Sequence, residues 1–102
     1  MLFFTRENFW VYTAANKTHT TLYTGVTNDL KRRLWEHRHP TNPKAFTARY
    51  SVNRLLWCEC FPTALEAIAA EKNIKGLTRA KKDAMIREQN PRWNDLSEGW
   101  YE

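Results

Sequence analysis

Apolar positions concentrate in two short runs near the start of the chain, Phe9 to Ala15 and Thr21 to Val26, which read as strands. Both are rich in aromatic and β-branched residues. The polar stretch Asn16-Lys17-Thr18-His19-Thr20 between them reads as a turn, so the two strands should form a hairpin. The period then changes. Thr27-Asn28-Asp29 offers capping side chains, and Leu30 and Leu34 make a narrow apolar stripe, which predicts a helix from about Asp29 to Arg38. The two prolines of His39-Pro40-Thr41-Asn42-Pro43-Lys44 make a loop, and Phe46 to Tyr50 is ambiguous. From Val52 to Phe61, Leu55, Trp57 and Glu59 alternate with Leu56, Cys58 and Cys60, which predicts a third strand beside the hairpin. Pro62-Thr63 opens a helix from about Ala64 to Lys75, ended by Gly76. A further helix from about Arg79 to Gln89 stops before Asn90-Pro91. The expected fold class is α+β: a small three-stranded antiparallel sheet flanked by helices, β-β-α-β-α-α, in one domain over residues 1–102.

A chain of 102 residues can bury one small core. Lysine and arginine number 16 against 11 acidic residues, a net charge of +5. That balance suits a polyanion partner, though an ordinary basic protein carries it too. The apolar opening Met1-Leu2-Phe3-Phe4 is interrupted by Arg6 and Glu7. No run approaches the roughly 18 apolar residues of a membrane span, and no signal-peptide core is evident. A cytoplasmic location without a membrane partner is expected. Cys58 and Cys60 lie at strand spacing i and i+2, a poor geometry for a mutual disulfide and a weak zinc site, so they read as structural thiols.

The chemistry-bearing residues cluster around the hairpin and the first helix. Tyr12 and Tyr23 fall on adjacent strands, Gly25 follows, and Arg33 and His37 stand one turn apart on a basic helix. A hydroxyl, a guanidinium and an imidazole held together suit reaction at a phosphodiester. Gly25 would let backbone and substrate approach closely. On a wheel of the helix 64–75, Ala64, Ala67, Ile68 and Ile74 share one face with Glu71 in its middle. Glutamate is rarely buried unless it is paired or binds a metal. Glu71 is therefore an edge residue, one satisfied by Arg33 or a lysine, or a ligand for a hard divalent cation such as Mg²⁺.

At this point the sequence resembles the GIY-YIG nuclease family. Trp10-Val11-Tyr12 stands for the first signature and Tyr23-Thr24-Gly25 for the second. Arg33 lies ten residues beyond Tyr23, and His37 one turn later, as in the family. Glu71 matches the metal-binding glutamate, and Asn90 in Asn90-Pro91-x-Trp93-x-Asp95-Leu96 the bracing asparagine. The likeness spans roughly residues 9–96 and is strongest to small stand-alone bacterial members, related to the incision subunit of excision repair. Trp10 departs from the glycine of the first signature and Thr24 from the isoleucine of the second.

The resemblance implies a metal-dependent DNA endonuclease in DNA repair or processing. One Mg²⁺ (or Mn²⁺) ion would sit on Glu71, and Arg33 would stabilise charge on the phosphate. Tyr12 or Tyr23 would take a proton from water, assisted by His37. Tyr12, Tyr23, Arg33, His37 and Glu71 should then line one concave site. DNA is the implied partner, with Gly25, Lys44, Tyr50, Lys81 and Lys82 as candidate contacts; a targeting protein remains open. The same residues have plainer readings. The tyrosines can be cross-strand aromatic neighbours, and Asn90 can simply close the last helix. The lysines of the later helices can form a solvated face, and Lys31, Arg32 and Arg38 read as solvated helix charges. The competing function is a non-catalytic or partner-dependent nucleic-acid-binding module with the same fold.

Overall fold

The computed structural model describes residues 8–102; the apolar opening Met1-Leu2-Phe3-Phe4 lies outside the described residues. The elements run β1 (Phe9–Ala15), β2 (Leu22–Thr27), α1 (Leu30–Arg38), α2 (Phe46–Arg49), β3 (Arg54–Phe61), α3 (Ala64–Lys75) and α4 (Arg79–Gln89). The sheet is antiparallel with the order β2-β1-β3, so β1 is its central strand. The architecture matches the expected three-stranded α+β fold. It adds one helical turn, α2, where the sequence was ambiguous. The third strand starts two residues later than the alternation suggested, because Ser51 has a positive φ of 54° and the Val52 amide bonds to the Thr47 carbonyl.

Local signals account for the helix ends. The Asp29 side chain accepts from the Arg32 amide at 3.1 Å, and the Thr27 hydroxyl accepts from the Asp29 amide at 3.0 Å. Thr63 and Glu66 form a reciprocal capping pair at the start of α3, and Thr78 caps α4. Register then sorts the strands into two faces. Trp10, Tyr12 and Ala14 oppose Thr27, Gly25 and Tyr23 on β2. This face is closed by Leu30 and Leu34 of α1 together with Val52 and Leu55. Val11 and Ala15 point the other way and pack with Ala67 and Ile74 of α3 and Ile86 of α4. Between those aliphatics the hydroxyls of Thr13 and Thr24 bond to each other at 3.1 Å, so a buried polar pair is satisfied.

Two details correct the sequence reading. The β1–β3 register slips between Thr13 and Ala14: Thr13 faces Trp57 and Ala14 faces Leu55, leaving Leu56 as the extra residue of a bulge. Strict alternation therefore fails there. Leu56 and Trp57 both join the α3–α4 cluster, while Leu55 joins the Tyr12 cluster. On α3, Ile68 is exposed and Ala70 packs toward the core in its place. The inward stripe is Ala67, Ala70 and Ile74, at three- and four-residue spacing.

The last residues are tied down along β3. Asn90 donates to the carbonyls of Leu56 at 3.0 Å and Asn94 at 2.8 Å. Gln89 both donates to the Cys58 carbonyl and accepts from the Cys58 amide. Asp95 accepts from the Leu55 amide and from Ser97, and the Leu96 amide donates to the Leu55 carbonyl. Arg38 closes this clasp, donating to Asp95 at 2.9 Å and to Ser97 at 2.8 Å, with Tyr101 over its guanidinium. Arg38 is thus a partly buried tether rather than a solvated charge. Both cysteines are free, and burial pushes the Cys58 thiol above its ordinary range. Among the described residues no helix is long and apolar enough to cross a membrane.

Candidate active site on the α1 face

Tyr12 stands at the middle of the central strand with its ring laid across β2. Gly25 is its register partner, and a Cβ built on Gly25 would lie 2.7 Å from the Tyr12 hydroxyl and 2.9 Å from its ring. The reading of Gly25 as a place where substrate approaches is therefore corrected. The space left by the missing side chain is filled by Tyr12, and the glycine admits the tyrosine.

The Tyr12 hydroxyl lies 2.8 Å from Nε2 of His37, and both side chains are buried. Burial pushes the phenol well above its usual range, with the Tyr23 phenol adding to the rise. Burial, reinforced by the Arg33 charge, lowers His37 from 6.5 to about 4. The pair is thus a protonated phenol and a neutral imidazole at neutral pH. In that state the bond runs from Tyr12 O–H to Nε2 when the imidazole proton is on Nδ1, and from Nε2–H to the phenol oxygen when it is on Nε2. Tyr23 completes a triangle: its ring centroid is 6.2 Å from Tyr12 and 5.8 Å from His37. Tyr23 is only partly buried, so it is the member of the triangle that faces solution.

Arg33 is on the same helix, one turn before His37, and is 45% exposed. It donates to Glu36 at 3.3 Å, and Arg32 donates to the other oxygen of Glu36 at 3.2 Å. Hollows open on both sides of Arg33. One, of about 440 Å³, is bordered by Thr27, Asn28 and Asp29; the other, of about 410 Å³, by His37, His39 and Thr47. A guanidinium between two open hollows, held only by an exposed carboxylate, is available to an incoming phosphate.

Glu71 stands further off. It projects from α3, whose core contacts lie on the Val11 face, and its carboxylate pairs with Lys75 Nζ at 3.0 Å. Its charge is felt at the Tyr12 hydroxyl, as are those of Arg33 and Glu36. The structure therefore brings Tyr12, Tyr23 and His37 into contact, sets Arg33 beside them, and leaves Glu71 at electrostatic range. Among the described residues no three histidine, cysteine, aspartate or glutamate side chains cluster. A single carboxylate that is 20% exposed, paired only to a flexible lysine, fits a magnesium ion that keeps most of its water.

The candidate nucleic-acid contacts separate. Lys44 is exposed on the loop before α2, and Tyr50 is exposed just after it. Lys81 and Lys82 are on α4, in the layer that covers the opposite face of the sheet from α1. Their neighbour Arg79 is occupied by Asp83 and by the carbonyls of the hairpin loop. The lysine pair thus stands in a different layer from the α1-face residues. Asn90 touches β3 and its own turn rather than the tyrosines, and acts through the frame. Trp10 packs with the Tyr12 cluster, so that departure from the signature is a matter of packing. Sequence reasoning missed Glu36 and Phe46. Glu36 was detectable as an i+3 partner of Arg33; Phe46 was not, because its contact with Tyr23 spans a loop.

Comparison with known proteins shows the family and the fold. Residues 8–84 match the family described as the GIY-YIG catalytic domain. A UPF0213 protein of Bacillus pumilus is 45% identical over 67 residues, covering 66% of this chain and 67% of its own. A UPF0213 protein of Vibrio parahaemolyticus is 32% identical over 80 residues, covering 78% and 74%. The solution NMR structure of a UPF0213 protein from Bacillus halodurans superposes with a TM-score of 0.55 at 26% identity, covering 90% of this chain and 97% of that one.

Proposed function

Because the chain belongs to the GIY-YIG catalytic domain family, we propose that it is a metal-dependent endonuclease that hydrolyses phosphodiester bonds in DNA. The observation that carries this is the buried Tyr12–His37 bond with Tyr23 against both rings and Arg33 one turn away. A surface evolved only to hold a phosphate backbone needs exposed cations. It gains nothing from a neutral imidazole bonded to a buried phenol.

A scissile phosphate takes Arg33 in place of Glu36, and the guanidinium stabilises the charge that grows on its oxygens. Arg33 is one of the two causes that keep the His37 pKa low. A dianionic transition state seated on Arg33 offsets that charge and makes His37 more basic when a proton must be taken up. Tyr12 fixes the imidazole through its hydrogen bond with Nε2. Tyr23, open to solution, would take the proton of the attacking water as the phenolate, its own proton having first gone to solvent. Glu71 would hold a magnesium ion, which when bound supplies positive charge toward the phosphate and the leaving oxygen. A role in DNA repair or processing, in the cytoplasm and with or without a targeting protein, is part of the same reading.

The test is cleavage of single-stranded, duplex, flap and branched DNA with and without Mg²⁺, by the natural protein and by Glu71→Ala. Cleavage should need the divalent ion and should be lost in the folded variant. Full activity in excess chelator, or in Glu71→Ala, refutes the metal role. Binding without cleavage under every condition replaces the enzyme by a binding module.

A further inference from the structure

Two aromatic side chains beside the site stand out into solvent. Phe46 is 48% exposed and Tyr50 43% exposed, although each carries a ring that burial would favour. Phe46 opens α2 and Tyr50 is its C-cap one turn later, with centroids 4.8 Å apart. Phe46 in turn approaches Tyr23, at 6.1 Å. The rings therefore make one continuous run, Tyr50 to Phe46 to Tyr23, from open solvent to the catalytic triangle. Positive charge lines the run. The Arg49 guanidinium sits 5.5 Å from the Tyr50 ring, Lys44 is exposed on the preceding loop, and Arg33 is at the inner end. Trp35 is also exposed, but His39 stacks on its ring at 4.2 Å, so that face is already taken.

Rings and cations interleaved in this way match one kind of ligand. An intact duplex offers phosphates and hides the faces of its bases, so exposed rings gain nothing from it. An unpaired nucleotide offers a phosphate and a free π-face within one repeat of the backbone. We propose that Phe46 and Tyr50 form a stacking platform for unpaired bases of a DNA strand whose phosphate lies on Arg33. The site then takes single-stranded or frayed DNA in preference to intact duplex. The proposal rests on the nuclease reading for which phosphate is cut, but stacking is measurable without cleavage.

The experiment is fluorescence anisotropy in chelator with three labelled probes of equal length: oligothymidine, the same backbone with abasic sites, and a duplex. Oligothymidine should bind more tightly than either of the others. Tyr50→Ala should weaken oligothymidine about tenfold, the loss of roughly one stacked base, while changing the abasic strand less than about twofold. Tyr50→Trp should restore it. Phe46→Leu keeps an apolar contact for Tyr23 and should act like Tyr50→Ala. Equal affinity for oligothymidine and duplex overturns the platform, as does equal loss of the oligothymidine and abasic strands in both variants. Cleavage of duplex DNA by a protein with either result leaves the nuclease reading standing. Absence of both binding and cleavage on every probe overturns the two together.

Discussion

The two faces of the sheet are made from the same three strands, yet they bury different chemistry. Against α3 and α4 the core is Val11, Ala15, Leu56, Ala67, Ile74 and Ile86, with one closed threonine pair. Against α1, aliphatic Leu30, Leu34 and Leu55 share the space with Tyr12, His37 and Tyr23. The first face can only be packed well or badly. The second holds groups whose protonation is set by burial and by neighbouring charge, so its composition is explained by reactivity as well as stability. The lesson is that alternation along β1 does more than hide apolar atoms: it assigns Val11 to the frame and Tyr12 to the chemistry, one residue apart.

Breaking the frame should give the largest stability effect. Ile86→Ala leaves a cavity in the α3–α4 layer and should cost about 2–5 kcal/mol in denaturant unfolding, with the cleavage rate per folded molecule unchanged. Its mirror is Arg33→Ala, which should leave stability within about 0.5 kcal/mol and reduce single-turnover cleavage on the order of 10²-fold. Equal loss of binding and cleavage in that variant would make Arg33 a docking residue instead.

Acid should act on the α1 face through His37. His37 is lowered from 6.5 to about 4 in the folded chain, so between these values the unfolded chain binds more protons. This contribution is fully present above about pH 6.5 and is lost as the pH falls toward 4. It amounts to at most about 3 kcal/mol. Denaturant midpoints should fall over that window in the natural protein and less steeply in His37→Gln. An identical slope in the two would mean that the imidazole is not held neutral by the fold.

A smaller effect probes how tightly the α1 face is fitted. Gly25→Ala should cost about 1–3 kcal/mol, since the new Cβ meets the Tyr12 ring. The same change in a Tyr12→Ala background should cost much less, and strict additivity in this double-mutant cycle would deny the contact. The smallest effect belongs to the far layer. Lys81→Ala with Lys82→Ala should leave both cleavage and the salt dependence of DNA binding nearly unchanged. A slope reduced by about two charges would place DNA on α4 after all.

Much of this was readable from the chain because its signals are local. Thr63 and Gly76, and Thr78 and Asn90, bracket α3 and α4, and both helices run over the expected residues. The spacing of Tyr12, Tyr23, Arg33 and His37 also falls within one hairpin and one helix. What escaped depends on partners distant in sequence. The bulge at Leu56 has no mark in β3 itself; it exists only in the register against β1. Arg38 looks like any surface arginine until the chain brings Asp95 and Ser97 beside it. The rotation of α3 that exposes Ile68 is set by where the sheet lies, which a helical wheel does not contain. Glu71 was singled out as a misplaced carboxylate satisfied by Arg33 or a lysine, and Lys75 is that partner.

The clasp along β3 has a consequence for the crowded solution in which such a chain is made. β3 is an outer strand, and an outer strand with bare amides and carbonyls invites another chain to extend the sheet. Here Gln89 occupies both groups of Cys58, Asp95 and Leu96 occupy those of Leu55, and Asn90 takes the Leu56 carbonyl. A neighbouring molecule finds no ladder to join over Leu55–Cys58. Removing residues 89–102 would therefore turn that closed stretch into an adhesive one, and ribbons of molecules rather than loss of fold would be the first symptom.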